Sequence, residues 1–203
     1  MASKRDISDM ATHSGVQLAL GKLFGIPSSR LQGIARELNY ADLRQNVGRG
    51  RHPAHVSGAD IFAYALPIVM RVPIRDIGRS LADILRMPAE PPSYALHGGA
   101  RQGEHPPDFA TTGIGSTFGD VIGQLIDGDL QSAFGYADDI AIAIEVDTPG
   151  LHATVRIHSQ DADLTISFSH PSLEPRHEPP LPWQTTYMTE RLINRLALIS
   201  KRP

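Results

Sequence analysis

The chain has 203 residues, of which 41% are hydrophobic and 20% charged, a balance typical of globular proteins. It contains no cysteine, which excludes disulfides, thiolate metal sites and a cysteine nucleophile. No apolar stretch approaches the ~18 residues that span a bilayer, and the polar residues 1–12 lack the apolar core of a signal peptide. We therefore expect a cytoplasmic protein with no membrane partner.

The net charge of −3 hides an asymmetry between the two halves of the chain. Residues 1–86 carry 12 Lys/Arg against 7 Asp/Glu, whereas residues 87–203 carry 7 against 15. A basic part joined to an acidic part is expected when the first meets a polyanion and the second does not. The asymmetry favours nucleic-acid binding by the first half.

Composition divides the chain into three regions. Residues 1–87 have long helical patterns and only four prolines, whereas 9 of the 26 residues in 88–113 are Gly or Pro. Such a stretch buries too little apolar surface to offset its ordering entropy. We predict a domain over 1–87, a linker or long loop over 88–113, and a second domain over 114–203.

The second domain is predicted to contain a helix, three strands and another helix. Apolar residues recur at helical spacing from Phe118 to Ile126, and they alternate within 140–146, 151–157 and 164–168, where turn sequences separate the runs. The predicted fold class is α+β: an all-helical helix-turn-helix domain followed by a helix, a three-stranded antiparallel sheet and a helix. The last helix is predicted from the apolar stripe Met188, Leu192, Leu196 and Ile199, and the polar face of the sheet would carry Glu145, His152, Thr154, Arg156, His158, Thr165 and Ser167.

The segment from Leu18 to Leu38 has the pattern of a helix-turn-helix. Two helices that cross steeply need a tight turn and small residues where their backbones approach. Gly21 lies at the small position of the first helix and Gly25 lies in the turn. Leu31 and Ile34 then occupy the apolar positions six and nine residues after that turn glycine. Pro27 fits the first turn of the second helix, and the serine that follows could cap it.

The second helix of a helix-turn-helix enters the major groove, and periodicity predicts which side chains face outward. Gln can read adenine, Arg can read guanine, and Ser can contact bases or phosphates. Cations beside the helix would contact phosphates. The predicted base-reading face comprises Ser28, Ser29, Gln32, Gly33 and Arg36, and Lys22 and Arg30 are predicted phosphate contacts.

A basic turn follows the second helix at a suitable distance. Arg49 and Arg51 alternate with glycines in Gly48–Pro53, and Arg44 precedes them. A hairpin wing with these arginines would lie against the DNA backbone or in the minor groove. Ser57 with Asp60 then resembles a capping box that opens the next helix, and a further amphipathic helix follows from Ile74 to Leu85.

The tract from Gly25 through Ala-Arg-Glu-Leu-Asn-Tyr, Gly-Arg-Gly-Arg and Pro-Ala-His-Val-Ser resembles winged-helix regulators of phages and prophage-like elements in alphaproteobacteria. These include the regulators that activate gene-transfer-agent production. The resemblance covers residues 18–70, about a quarter of the chain. It implies promoter binding and control of phage-type genes.

Each feature also has a structural explanation. The glycine pattern could belong to an ordinary helical hairpin, the Gly-Arg tract could be a solvated loop, and Arg36 could pair with Asp42 or Glu37.

His152 and His158 project from one strand face without a carboxylate cluster of metal-ligand spacing, so no metal site is predicted. The acidic pairs Asp127/Asp129 and Asp138/Asp139 fall at a helix end and a turn, and Ser116 reads as a helix cap. We find no cofactor fingerprint and no catalytic constellation, and we predict that the protein is not an enzyme.

The leading hypothesis is a sequence-specific transcriptional regulator that binds double-stranded DNA as a homodimer. Its acidic domain would serve dimerisation, effector sensing or contact with the transcription machinery. A phage-type DNA-packaging or replication accessory protein, and a protein–protein adaptor that does not bind DNA, are the alternatives.

Overall fold

A computed structural model describes residues 12–43, 56–96, 114–128, 141–147, 152–158, 162–170 and 185–201. In these residues the protein is α+β. The helices are α1 (His13–Phe24), α2 (Ser28–Tyr40), α3 (Gly58–Val69), a 3-10 turn (Ile74–Asp76), α4 (Ile77–Leu85), α5 (Phe118–Asp127) and α6 (Glu190–Ser200). The strands are β1 (Ser93–Leu96), β2 (Ala141–Asp147), β3 (His152–His158), β4 (Ala162–Ser169) and β5 (Thr185–Thr189). No helix in this part of the chain is long and apolar enough to cross a membrane.

Side-chain caps begin three of the six described α-helices, α1 at Thr12, α3 at Ser57 and α5 at Thr117. The predicted capping box of α3 is confirmed: the Ser57 hydroxyl accepts from the Asp60 amide, and the Asp60 carboxylate accepts from the Ser57 amide at 3.1 Å. The prediction that Ser116 caps α5 is wrong. Thr117 is the cap, because its side chain accepts from the amide of Asp120 three residues on.

The described strands form one antiparallel sheet in the order β1-β4-β3-β2-β5. The predicted meander of β2, β3 and β4 is confirmed, and each neighbour pairs over seven residues. Two further strands extend it. β1 lies within the predicted linker 88–113 and pairs with β4, so that region is not irregular throughout. β5 contains Met188, which was assigned to the last helix; that helix begins at Glu190.

The sheet has one apolar and one polar face, as the alternation predicts. On the apolar face, α6 packs against β2 and β5, and Phe118 of α5 meets Phe168. The buried residues of this face are Ile142, Ile144, Val146, Val155, Ile157, Leu164, Ile166 and Phe168. The opposite face carries polar pairs between neighbouring strands. Arg156 lies 3.5 Å from Glu145, and the Tyr187 hydroxyl donates to Glu145 at 3.3 Å.

The closest helix packing joins α3 to α5. A Cβ on Gly58 would lie 2.4 Å from the carbonyl oxygen of Gly123, and a Cβ on Gly123 would lie 2.8 Å from the amide nitrogen of Ala59. Only residues without a side chain allow the two backbones to come this close. The first amide of α3 also donates to the carboxylate of Asp127 at 2.9 Å, so Asp127 has a structural role.

Three phenylalanines continue this contact into the sheet. Phe62 on α3 meets Phe118 on α5 edge to face at 5.6 Å between ring centroids, and Phe118 meets Phe168 on β4 at 5.2 Å. All three rings are fully buried in one hydrophobic core that includes residues from both predicted domains. The boundary at residues 88–113 therefore does not separate two cores.

We expect Gly58→Ala to destabilise the protein by about 2–3 kcal/mol, because the new methyl group meets backbone rather than a movable side chain. Gly15→Ala is the matched control, since its Cβ would meet only the Thr12 hydroxyl at 3.2 Å on the surface of α1. The control should change stability by less than about 1 kcal/mol. Urea unfolding followed by circular dichroism measures both, and equal effects would contradict the close-packing argument.

Candidate nucleic-acid interface

The connection between α1 and α2 is a tight turn centred on Gly25. Gly25 ends α1 in the left-handed conformation, with φ of 65°, and its amide donates to the carbonyl of Gly21. The amide of Ile26 donates to the same carbonyl at 3.1 Å. A Cβ on Gly25 would have no neighbour within 4 Å, so the backbone conformation rather than crowding accounts for glycine here.

Gly21 has a different role, because it lies where the two helices touch. A Cβ there would approach the Leu31 side chain at 3.2 Å and the Ile26 carbonyl at 3.3 Å. Leu31 and Ile34 are both 1% exposed, as their predicted positions require. The two glycines therefore set the angle and the separation of α1 and α2.

The start of α2 differs from the predicted cap. Pro27, rather than a serine, is the N-cap residue, and it has extended backbone geometry and no side-chain cap bond. Ser28 and Ser29 lie inside the first turn and are exposed. The amides of Ser28 and Ser29 precede the first intrahelical bond, so they can donate to a group outside the helix, whereas the amide of Arg30 donates to the carbonyl of Pro27 at 3.1 Å.

One face of α2 points to solvent along its whole length. Ser29, Gln32, Arg36 and Tyr40 follow each other at intervals of three or four residues and all are exposed. Leu31, Ile34, Ala35 and Leu38 on the opposite face are buried against α1, α3 and α4. The predicted residues Ser29, Gln32 and Arg36 therefore share one surface.

Sequence reasoning missed two residues at the end of this face. Asn39 and Tyr40 are exposed, and 78% of Tyr40 is accessible. The same helical period would have included them, but the predicted face stopped at Arg36. Their side chains add an amide and a phenol to the surface defined by Ser29, Gln32 and Arg36.

Gly33 lies on the flank of α2 rather than at the centre of the exposed face. A Cβ at this position would meet Ile74 of the 3-10 turn at 3.0 Å. A side chain at Gly33 would therefore press on the end of Ile74, which would have to shift by a few tenths of an ångström. Only its backbone could take part in recognition.

The cations differ in their surroundings. Arg36 lies 3.7 Å from Glu37, one of the two acidic residues with which it could pair instead of contacting DNA. Nevertheless, 64% of the Arg36 side chain remains exposed. A surface pair of this kind contributes little to stability and leaves the guanidinium accessible. Arg30 is half-buried, and its Nε has no hydrogen-bond partner among the described residues.

Lys22 and Ser28 line a common groove between α1 and α2. The groove has a volume of about 430 Å³, and Leu18, Ile26 and Leu31 contribute its apolar walls. Lys22 is exposed in the last turn of α1. Because it lines this groove together with Ser28, it lies on the same side of the helix pair as the start of α2.

The predicted wing, with Arg44, Arg49 and Arg51, lies outside the described residues. Its flanks can be described. Leu43 and Ser57 line the same cavity, of about 320 Å³, beside the ends of α2 and α4 and the starts of α3 and α5. Leu43 and Ser57 therefore lie on the same side of the helical core.

The polar residues of the sheet form local pairs. His158 pairs with Asp163, and His152 lies 3.4 Å from the hydroxyls of Thr154 and Ser169. No group of three potential metal ligands occurs among the described residues.

Comparison of this chain with protein-family models, with curated proteins and with solved structures gives no match.

We expect Gly25→Ala to destabilise the protein by about 1 kcal/mol, because a side chain at φ of 65° is strained even in open space. Gly25→Asn should cost less, since asparagine tolerates this conformation better. Thermal unfolding of the two variants gives the comparison. If Gly25→Ala were as stable as the natural chain, a side chain at this position would cause no backbone strain and the argument would be wrong.

Proposed function

We propose that this protein binds double-stranded DNA through α2 and acts as a transcriptional regulator. The observation that carries the proposal is the exposed face Ser29, Gln32 and Arg36 on a helix whose other side is buried in the core. The tight turn at Gly25 and the contact at Gly21 support a helix-turn-helix interpretation of α1 and α2.

The exposed face has suitable chemistry for base readout. An α-helix fits the major groove, where Gln can bond adenine bidentately and Arg can bond guanine bidentately. Ser28 and Ser29, with the first-turn amides of α2, can position a phosphate. Asn39 and Tyr40 extend the contact surface by a further turn.

The cations at the edges supply affinity without sequence information. Lys22 lies beside the start of α2, and Arg30 follows on the same helix. Arg44, Arg49 and Arg51 would add a wing that contacts the backbone or the minor groove. Each cation that neutralises a phosphate makes binding more sensitive to salt.

We extend the proposal to a homodimer that controls transcription, because a single helix-turn-helix module has limited sequence specificity. One recognition helix reads few base pairs, so a homodimer on two half-sites would give useful specificity. The resemblance of residues 18–70 to regulators of phage-type and gene-transfer-agent genes favours transcription control in the cytoplasm. The acidic second half would then contact effectors or the transcription machinery.

Combined replacement of Gln32 and Arg36 by Ala should relax sequence preference, with a loss of about 1–3 kcal/mol on the preferred site for each bidentate contact removed. Lys22→Ala should weaken binding to all sequences and reduce the slope of log affinity against log salt by about 1. The preferred site is first selected from a random DNA pool with the natural chain, and affinities are then measured by fluorescence anisotropy.

Arg156→Ala is the matched control, because this half-exposed arginine lies on the polar face of the sheet, away from the helices. Its DNA affinity should equal that of the natural chain. If the natural chain binds no DNA at low salt, the proposal fails and the adaptor alternative is favoured.

Replacement of Arg49 and Arg51 by Ala should weaken binding to preferred and random DNA by the same factor, because backbone contacts carry no sequence information. The ratio of the two affinities is the readout. A change in that ratio would indicate that the arginines read bases or groove shape instead.

A further inference from the structure

The outer edge of β5 is a free pairing surface in the described part of the chain. β5 ends the sheet order and pairs on one side with β2 over five consecutive residues. No described strand lies on its other side. Every second residue of an edge strand directs its backbone N–H and C=O outward, where a further strand can bond them.

Within its own five residues, β5 lacks the charges, prolines and bulges that commonly protect an edge strand. Its five residues, Thr-Thr-Tyr-Met-Thr, include no charge and no proline, and the continuous register with β2 shows no bulge. Tyr187 is 70% exposed, and Thr185 and Thr189 beside it are exposed as well. An uncharged strand with an exposed aromatic residue favours pairing rather than opposing it.

We infer that β5 pairs with β5 of a second copy of this chain, antiparallel, and forms a continuous sheet through a homodimer. A second copy is the partner that fits, because an uncharged strand meets no charge repulsion from its own copy. The strand is also self-complementary in its pattern of exposed and buried residues. This inference names the surface of the proposed homodimer, but its evidence does not involve α2.

Two-fold symmetry restricts the register. Residues directly opposite each other in a sheet point to the same face. The two-fold axis must therefore lie between two copies of the same residue, rather than between two neighbouring residue positions. Centring on Tyr187 is the one choice that pairs all five residues of β5. It places Tyr187 opposite the second Tyr187, and Thr185 opposite Thr189 on the exposed face.

The facing pairs are favourable in this register. Aromatic pairs and Thr–Thr pairs stabilise antiparallel strands. On the buried face, the half-buried Thr186 would lie opposite Met188, which is 3% exposed next to α6. No pair places like charges together.

The absence of cysteine makes the register directly testable. Tyr187→Cys should cross-link to itself under mild oxidation, because directly opposite Cβ atoms lie about 5 Å apart. Thr185→Cys alone should not, since two copies of residue 185 would be roughly 13 Å apart, four residues along the strand. A mixture of differently tagged Thr185→Cys and Thr189→Cys chains should cross-link as a heterodimer. Equal cross-linking of Thr185→Cys and Tyr187→Cys on their own would overturn the register.

Sedimentation of the full chain without DNA tests the interface itself. The natural chain should be dimeric, and Tyr187→Lys should raise the dimer dissociation constant about tenfold or more, because two ammonium groups then face each other. Leu18→Lys and Leu198→Lys remove similarly exposed apolar side chains from α1 and α6 and should leave the dimer intact. A monomeric natural chain, or a dimer lost only in these two variants, would overturn the inference.

The two proposals fail separately. Loss of the dimer in Tyr187→Lys with retained weak DNA binding would leave the role of α2 standing. A dimer that binds no DNA would leave the β5 interface standing and remove the proposed function.

Discussion

The contact between α3 and α5 holds the helices and the sheet in one structure. Gly58 and Gly123 let the two backbones approach until a single added methyl group would overlap a carbonyl oxygen. Phe62, Phe118 and Phe168 then continue the contact through α5 into β4. Because backbone-to-backbone packing cannot relax as a flexible side chain can, this contact fixes where α2 lies relative to the sheet.

The candidate interface depends on that framework. α2 is supported by α1, α3, α4 and the 3-10 turn, so its buried side is held at several points and its other side is free. Gly33 shows how close this support is, since a Cβ there would lie 3.0 Å from the end of the Ile74 side chain. The outer edge of β5, beside which no described strand lies, belongs to the sheet. The proposed DNA contact and the proposed dimer contact thus use different elements of one rigid core.

Elements with strong local signals were predicted from the sequence. The capping box at Ser57 and Asp60 and the alternation in β2, β3 and β4 each depend on neighbouring residues, so the pattern alone is informative. β1 and β5 were missed because they are four and five residues long and lack a clear alternation. Met188 was assigned to the last helix because it lies four residues before Leu192. This spacing is typical of one helix face, but it also occurs by chance between a strand and the helix that follows it.

The sequence by itself determined the turn at Gly25, the faces of α2 and the apolar face of the sheet, because these follow from backbone conformation and periodicity within one segment. Tertiary structure decided that Gly33 packs on Ile74, that part of the Gly/Pro-rich region joins the sheet, and that both halves share one core. The physical reason is that a periodic pattern shows which side of an element is apolar. It does not show which distant element covers that side.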